Sequence, residues 1–97
     1  MRVDLGAQAV SVGGEEVRLT RKEFELFAHL AQADGRVVTR DELRATVWRD
    51  SPVALTSRTV DVHVRRLRAI PELAELIITV RGTGYRVPAH RDVQVVG

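Results

Sequence analysis

Ninety-seven residues are enough for one domain with a single core and without covalent or metal staples. The chain has no cysteine, which excludes disulfides and zinc–thiolate sites, and its composition, 44% hydrophobic and 29% charged, indicates a globular protein rather than a disordered one. No apolar stretch approaches the roughly 20 residues that span a bilayer, and the N-terminus does not resemble a secretion signal, so we expect a cytoplasmic protein without membrane contact.

Positive charge is concentrated in the second half of the chain. Residues 1–55 carry eight basic and nine acidic side chains, whereas residues 56–97 carry seven basic and four acidic ones. Four of the arginines fall within residues 56–68, beside a single acid. This local excess suggests a polyanionic partner, although a solvated helix face explains it equally well.

The first nineteen residues alternate between apolar and polar side chains, with glycines where turns are needed. This period of two predicts a short antiparallel sheet with one apolar face. Three helices are expected to follow. The first two each begin with a threonine N-cap and a glutamate three residues later, the pattern of a capping box: Thr20 with Glu23, and Thr39 with Glu42.

Thr56 is a less complete cap for the third helix, which is predicted over about residues 57–70 and is stopped by Pro71. The first helix is expected to end near residues 34–35, and the second before residues 51–52.

A second alternating segment predicts a β-hairpin over residues 77–87, followed by a frayed tail over residues 89–97. Ile78 and Val80 are expected on one face of this hairpin. Gly82 and Gly84 are expected in its turn at positive φ.

The third helix has two chemically different sides. Val60, Val64 and Leu67 lie on one side at helical spacing, as a stripe for the core. The opposite side carries three arginines and one valine: Arg58, Val62, Arg65 and Arg66. Guanidinium groups fit guanine edges and phosphates, and a valine fits a thymine methyl, so this side suits a major groove.

Neighbouring residues of this helix leave alternatives open. Asp61 is explained by pairing with Arg65 one turn later and by the positive helix N-terminus. His63 borders the core stripe, so a half-buried histidine and a phosphate contact are equally good interpretations. Arg81, beside the glycine-rich hairpin turn, is expected to reach a minor groove.

Two segments together resemble the OmpR/PhoB family of winged-helix effector domains of response regulators. RTVDVHVRRLR at residues 58–68 is similar to that family's recognition helix, and TVRGTGYR at residues 79–86 is similar to its wing. Residues 19–24 and 39–48 match its first two helices, so that the resemblance covers residues 2–88.

The resemblance implies an α+β winged helix-turn-helix: an N-terminal antiparallel sheet, three helices and a C-terminal hairpin wing, as one domain over residues 1–88 with a tail over residues 89–97. It implies cytoplasmic transcription regulation by binding duplex promoter DNA, as head-to-tail dimers on direct repeats, and contact with RNA polymerase through the loop at residues 49–55. No cofactor, metal or catalytic group is implied.

The resemblance also implies roles for individual side chains. Those expected to read bases are Val62, Arg66, Arg68 and Arg81. Those expected to contact the DNA backbone are Trp48, Arg58, Thr59, His63, Arg65, Thr79, Thr83 and Tyr85. For the rings of Trp48 and Tyr85, packing in the core is the stronger interpretation.

Three other functions were weighed against duplex binding. An enzyme is disfavoured because no nucleophile, acid and base form a recognisable set, and His29, His63 and His90 lack metal-ligand spacing. A single-strand binder would need exposed aromatic rings for stacking, and the chain has four aromatic residues in all. A winged helix that binds another protein instead of DNA is the serious alternative, but it would not need the outward arginines.

Overall fold

The computed structural model describes residues 1–50, 57–89 and 93–97. It contains three helices, α1 (Arg21–Gln32), α2 (Arg40–Thr46) and α3 (Ser57–Arg68). Its strands are β1 (Arg2–Asp4), β2 (Ala9–Val12), β3 (Glu15–Val17), β4 (Val38–Thr39), β5 (Ile78–Val80), β6 (Gly84–Arg86) and β7 (Gln94–Val96). The predicted α+β winged-helix architecture is confirmed.

The N-terminal sheet has the order β3-β2-β1-β7. Strands β1, β2 and β3 form the predicted antiparallel meander, in which Val3 lies opposite Val10 and Val10 opposite Val17. Val3 and Val10 are fully buried, so this sheet has the apolar face that the alternation predicts.

The C-terminal tail contains a strand, which corrects the expectation of fraying. Residues 94–96 pair in parallel with β1, and the amide of Gln94 donates to the carbonyl of Met1 at 2.9 Å. The physical reason is that β1 would otherwise be an edge strand with unpaired backbone groups, which the tail satisfies. Residues 90–92 of the tail lie outside the described part of the chain. The sheet therefore includes residues beyond the predicted domain boundary at 88.

The N-cap predictions for α1 and α2 are confirmed, and the second capping box needs a correction. At α1, the Thr20 hydroxyl accepts from the Glu23 amide, while the Glu23 carboxylate accepts from the Thr20 amide. At α2, the Thr39 hydroxyl accepts from the Glu42 amide at 3.0 Å. The Glu42 carboxylate, however, binds other partners. Thr56, the expected cap of α3, lies outside the described residues.

Glu42 joins α2 to α1 and to the segment between them. Its carboxylate accepts from Arg36 at 2.9 Å and lies 2.8 Å from the imidazole of His29. The hydrogen bond from Arg36, followed by that with His29, lowers the pKa of Glu42 to about 2. The Glu42 carboxylate therefore binds Arg36 and His29 in place of the return bond of a capping box.

The core lies among the three helices. Helix α1 buries Phe24, Leu26, Phe27, Ala28 and Leu30, and ends as predicted, with Gly35 at φ +90° just beyond it. Helix α3 contacts both α1 and α2, and its predicted stripe of Val60, Val64 and Leu67 is at most 1% exposed. Burial of this stripe fixes which side of α3 faces solvent.

The second sheet has the order β4-β6-β5, and its strand β4 is absent from the sequence predictions. Val38 of β4 pairs with Tyr85, and Thr39 pairs with Gly84. The hairpin of β5 and β6 is the predicted wing, with Thr79 opposite Tyr85. Strand β4 has two residues, one of which is also the N-cap of α2, so it has no periodic signal of its own.

One prediction about this hairpin is corrected. Gly82 has the expected positive φ of +76°, but Gly84 does not. A Cβ on Gly84 would lie 2.0 Å from the carbonyl oxygen of Val38, so glycine is required there by close strand approach. Ile78 is 39% exposed, and Ile77, at 3%, takes the buried position, because the hairpin register places Thr79 opposite the inward-facing Tyr85.

The two wing glycines provide a matched test. Gly84→Ala should reduce the free energy of unfolding by about 3 kcal/mol or more, because the new methyl group overlaps backbone atoms. Gly82→Ala should cost only about 1–2 kcal/mol, because its Cβ enters open space and only the positive φ is unfavourable. Urea denaturation of both variants measures the difference. Equal costs would contradict the pairing of β4 with β6.

Candidate nucleic-acid interface

The outward side of α3 carries exposed guanidinium groups. Arg58, Arg65 and Arg66 are exposed, and Val62 is half-buried among them, as the helical spacing predicts. Within the described part of the chain, no hydrogen bond or ion pair engages the side chain of Arg65 or Arg66. Because the opposite side of the helix is locked in the core, these groups remain available to a polyanion.

Asp61 has different partners from the predicted ones. Its carboxylate accepts from Arg40 Nε of α2 at 2.8 Å and from the hydroxyl of Tyr85 of β6. Burial raises the pKa of Asp61, but the hydrogen bonds from Tyr85 and Arg40 together outweigh burial and bring this pKa below its ordinary value. Arg65, the predicted partner, makes only a minor electrostatic contribution. Asp61 therefore joins three elements instead of stabilising one helix.

Arg40 is the site residue that the sequence predictions missed. Its guanidinium also donates to the Tyr85 hydroxyl at 3.3 Å and stacks over the tyrosine ring at 4.9 Å. The bond to Asp61 chiefly raises the pKa of Arg40. No local signal identifies this role, because Asp61 lies 21 positions along the chain from Arg40.

Arg68 points away from the centre of the outward side. Its Nη2 donates to the carbonyl of Ile77 at 2.9 Å and to the hydroxyl of Thr79 at 2.6 Å. Its guanidinium also lies 5.7 Å from the centre of the Tyr85 ring. The helix ends at Arg68, so this side chain leaves α3 beside β5. The arrangement does not favour the predicted base contact by Arg68, because its Nε and Nη2 already donate within the protein.

The rings of Trp48 and Tyr85 are core residues, as the packing interpretation predicts. They are 3% and 4% exposed. The Tyr85 hydroxyl donates to Asp61, so the predicted phosphate contact by Tyr85 is not supported in this arrangement. Trp48 meets the ring of His63 edge-on at a centroid distance of 5.0 Å. The phosphate contact predicted for Trp48 stays a prediction.

His63 is half-buried, which matches one of its two interpretations. Its Nδ1 donates to the carbonyl of Thr59 at 2.8 Å, within the same helix. Part of the imidazole remains exposed, so the predicted phosphate contact is neither made nor blocked by this position.

The wing turn is exposed and is closed by a backbone hydrogen bond. Arg81, Gly82 and Thr83 are exposed, and the Thr83 amide donates to the carbonyl of Val80 at 3.0 Å. Gly82 and Thr83 line one groove together with residues 39–41 at the start of α2. This arrangement leaves the Arg81 guanidinium to solvent, as its predicted role requires.

Residues 1–50, 57–89 and 93–97 contain neither of two further kinds of feature. No three histidine, aspartate or glutamate side chains there come together as a metal site. None of the helices in these ranges is both long and apolar enough to cross a membrane.

Removing the Tyr85 hydroxyl tests the Asp61 junction, by which we mean the hydrogen bonds of Asp61 with Arg40 and Tyr85. Because the bond from Tyr85 helps to lower the pKa of Asp61, this pKa should rise in Tyr85→Phe, and unfolding should become easier by about 1–2 kcal/mol at neutral pH. A lowered pKa stabilises the fold above the ordinary carboxyl value, and this stabilisation is lost as the pH falls through the folded-state pKa.

The pH-dependent part of the stability should therefore be smaller in Tyr85→Phe than in the parent. Carboxyl ¹³C NMR titration measures the pKa directly, and Glu42, which should stay at about 2, is the internal control. An unchanged Asp61 titration in the variant would contradict the junction.

Comparison with known proteins agrees with this geometry. A family model described as "Transcriptional regulatory protein, C terminal" matches residues 14–87. The sensory transduction protein RegX3 of Mycobacterium tuberculosis is 42% identical in an alignment of 91 residues that covers 90% of this chain. The chain spans 40% of the length of RegX3.

Solved structures show the same fold. The Klebsiella pneumoniae RstA DNA-binding domain, in complex with RstA box, is 32% identical with a TM-score of 0.74 over 91% of this chain and 90% of that one. The DNA-binding domain of the response regulator AdeR, in complex with an intercistronic region, is 30% identical with a TM-score of 0.72 over 88% of each chain.

Proposed function

We propose a function from the premise that the chain belongs to the family of C-terminal DNA-binding domains of transcriptional regulatory proteins. Helix α3 enters the major groove of duplex DNA, and the wing lies at the adjacent minor groove. The observation that carries the proposal is that α3 has an exposed arginine side opposite a fully buried aliphatic stripe. The domain acts by binding and not by catalysis.

Specificity is assigned to three side chains. Arg66, exposed and free of partners among the described residues, donates to a guanine edge, and the half-buried Val62 meets a thymine methyl. Arg81 enters the minor groove from the wing. Arg68, the fourth predicted base reader, is not assigned to a base, because it already donates to Ile77 and Thr79.

Affinity is assigned mainly to phosphate contacts. Arg58 and Arg65 provide exposed positive charge, and Thr59, His63 and Thr83 are at least partly exposed near them along α3 or in the wing turn. Thr79 also belongs to this predicted set, although its hydroxyl already accepts from Arg68. Tyr85 supports the surface from the core, and the phosphate contact predicted for Trp48, which is also buried, stays a prediction.

The wider regulatory role follows the relatives. RegX3 is a sensory transduction protein, and we infer that this chain likewise couples a signal to transcription. Head-to-tail dimers on direct repeats and a polymerase contact through residues 49–55 are part of this proposal and rest on the family resemblance. Residues 51–55 of that loop lie outside the described part of the structure.

Adjacent arginines on α3 separate base reading from charge. The preferred duplex is first selected from a random pool at a stated salt concentration, and binding is then measured by fluorescence anisotropy. Arg66→Ala should weaken binding to this duplex by about 1–3 kcal/mol and relax preference at one base pair. Arg65→Ala, the matched control, should weaken all sequences alike and reduce the salt slope by about 0.9.

A uniform loss on all sequences in Arg66→Ala would remove it from the base readers. If the parent chain had no affinity for any duplex even at low salt, the proposed function would be wrong. Capture of a protein partner by the same arginine side would then favour the protein-binding alternative.

A further inference from the structure

The wing and α3 are connected by side chains at two separate places. Near the start of the helix, Asp61 accepts from the hydroxyl of Tyr85 in β6. At the end of the helix, Arg68 donates to Ile77 and Thr79, at and beside the start of β5. Two connections about two helical turns apart prevent the hairpin from pivoting about either one.

The connection at Arg68 has the geometry of a fixed joint. Both Nε and Nη2 approach the same carbonyl, that of Ile77, at 3.3 and 2.9 Å, and Nη2 also reaches the Thr79 hydroxyl. The planar guanidinium packs near the Tyr85 ring as well. A planar fork with several donors loses less entropy per bond than a flexible ammonium would, which suits a joint that must hold one geometry.

The connection at Asp61 is supported from the side by α2. Arg40 donates to Asp61 and stacks on the face of the same tyrosine ring that Arg68 approaches. The Tyr85 ring, 4% exposed, thus lies between two arginines and an aspartate that come from α2 and α3. The wing strand that carries it is held against both helices.

We propose that Arg68 is a positioning residue, which fixes the offset between the reading side of α3 and the wing so that the domain accepts one spacing between its major-groove and minor-groove sites. This inference rests on the proposed function, in which the two grooves are contacted by α3 and by the wing. A wing held in place before binding does not have to be ordered on the DNA, so its contacts contribute fully to affinity.

The first test needs no DNA. The chain has no cysteine, so spin labels attach only at introduced ones, here Arg65→Cys on α3 and Thr83→Cys in the wing turn. Electron–electron double resonance should give one narrow distance distribution in the parent background. Adding Arg68→Gln should broaden it.

Arg86→Gln is the matched control. Arg86 also lies in the wing and donates from Nε to a backbone carbonyl, that of Gly35, at 3.0 Å, whereas no hydrogen bond or ion pair joins its side chain to α3 among the described residues. It loses the same charge and one hydrogen bond of the same kind, so it should leave the distribution narrow. An equally narrow distribution in Arg68→Gln would overturn the proposal. Thermal unfolding checks that each variant is folded. If Arg68→Gln does not fold, Thr79→Val, which removes one acceptor of Arg68, takes its place.

The second test measures spacing on DNA. The selected duplex is compared with duplexes in which the minor-groove segment that the wing contacts is moved by one base pair in either direction. The parent and Arg86→Gln should bind the moved duplexes at least tenfold more weakly. Arg68→Gln should discriminate by less than threefold, because its wing can follow the moved segment.

The remaining outcomes also decide the matter. Unchanged discrimination in Arg68→Gln would overturn the proposal while leaving the proposed function intact. A loss of affinity that is equal on all duplexes, with a salt slope reduced by about 0.9, would make Arg68 a phosphate contact and also overturn it. Absence of duplex binding by the parent would instead contradict the proposed function. The spin-label distances would then still test whether Arg68 fixes the wing relative to α3.

Discussion

The packing of the aliphatic stripe of α3 against α1 and α2 is the contact on which the rest of the structure depends. Val60, Val64 and Leu67 are excluded from water, and this fixes the rotation of the helix about its own axis. The same rotation turns Arg65 and Arg66 outward. Burial of three small aliphatic side chains therefore decides where the positive charge of the domain is presented.

Polar side chains near this contact help to fix the position of the wing relative to α3. Asp61 and Arg68 project from α3 toward the hairpin, where the Tyr85 hydroxyl donates to Asp61 and the Arg68 guanidinium lies 5.7 Å from the centre of the Tyr85 ring. The core also anchors the base of the hairpin, because Ile77, Tyr85 and Val87 are buried in it and β4 pairs with β6. The arginines of α3 thus have two roles in this account. Those that face solvent present positive charge, and Arg68 positions the wing relative to the helix.

Much of this arrangement follows from local sequence, and the exceptions share one cause. The caps Thr20 and Thr39, the stripe of α3 and the wing hairpin are recognisable because their signals lie within a few residues. Strands β4 and β7, the bond between Arg40 and Asp61, and the contact that requires Gly84 all join segments that are far apart in sequence. Such pairings depend on how elements pack, which local periodicity does not encode.

The central claim is that α3 reads the major groove while the wing contacts the minor groove beside it. Dimethyl sulfate protection on the selected duplex measures both together, since the reagent methylates guanine N7 in the major groove and adenine N3 in the minor groove. The account predicts a block of protected guanines flanked by protected adenines within about one helical turn. Binding without protection of any guanine N7 would contradict it.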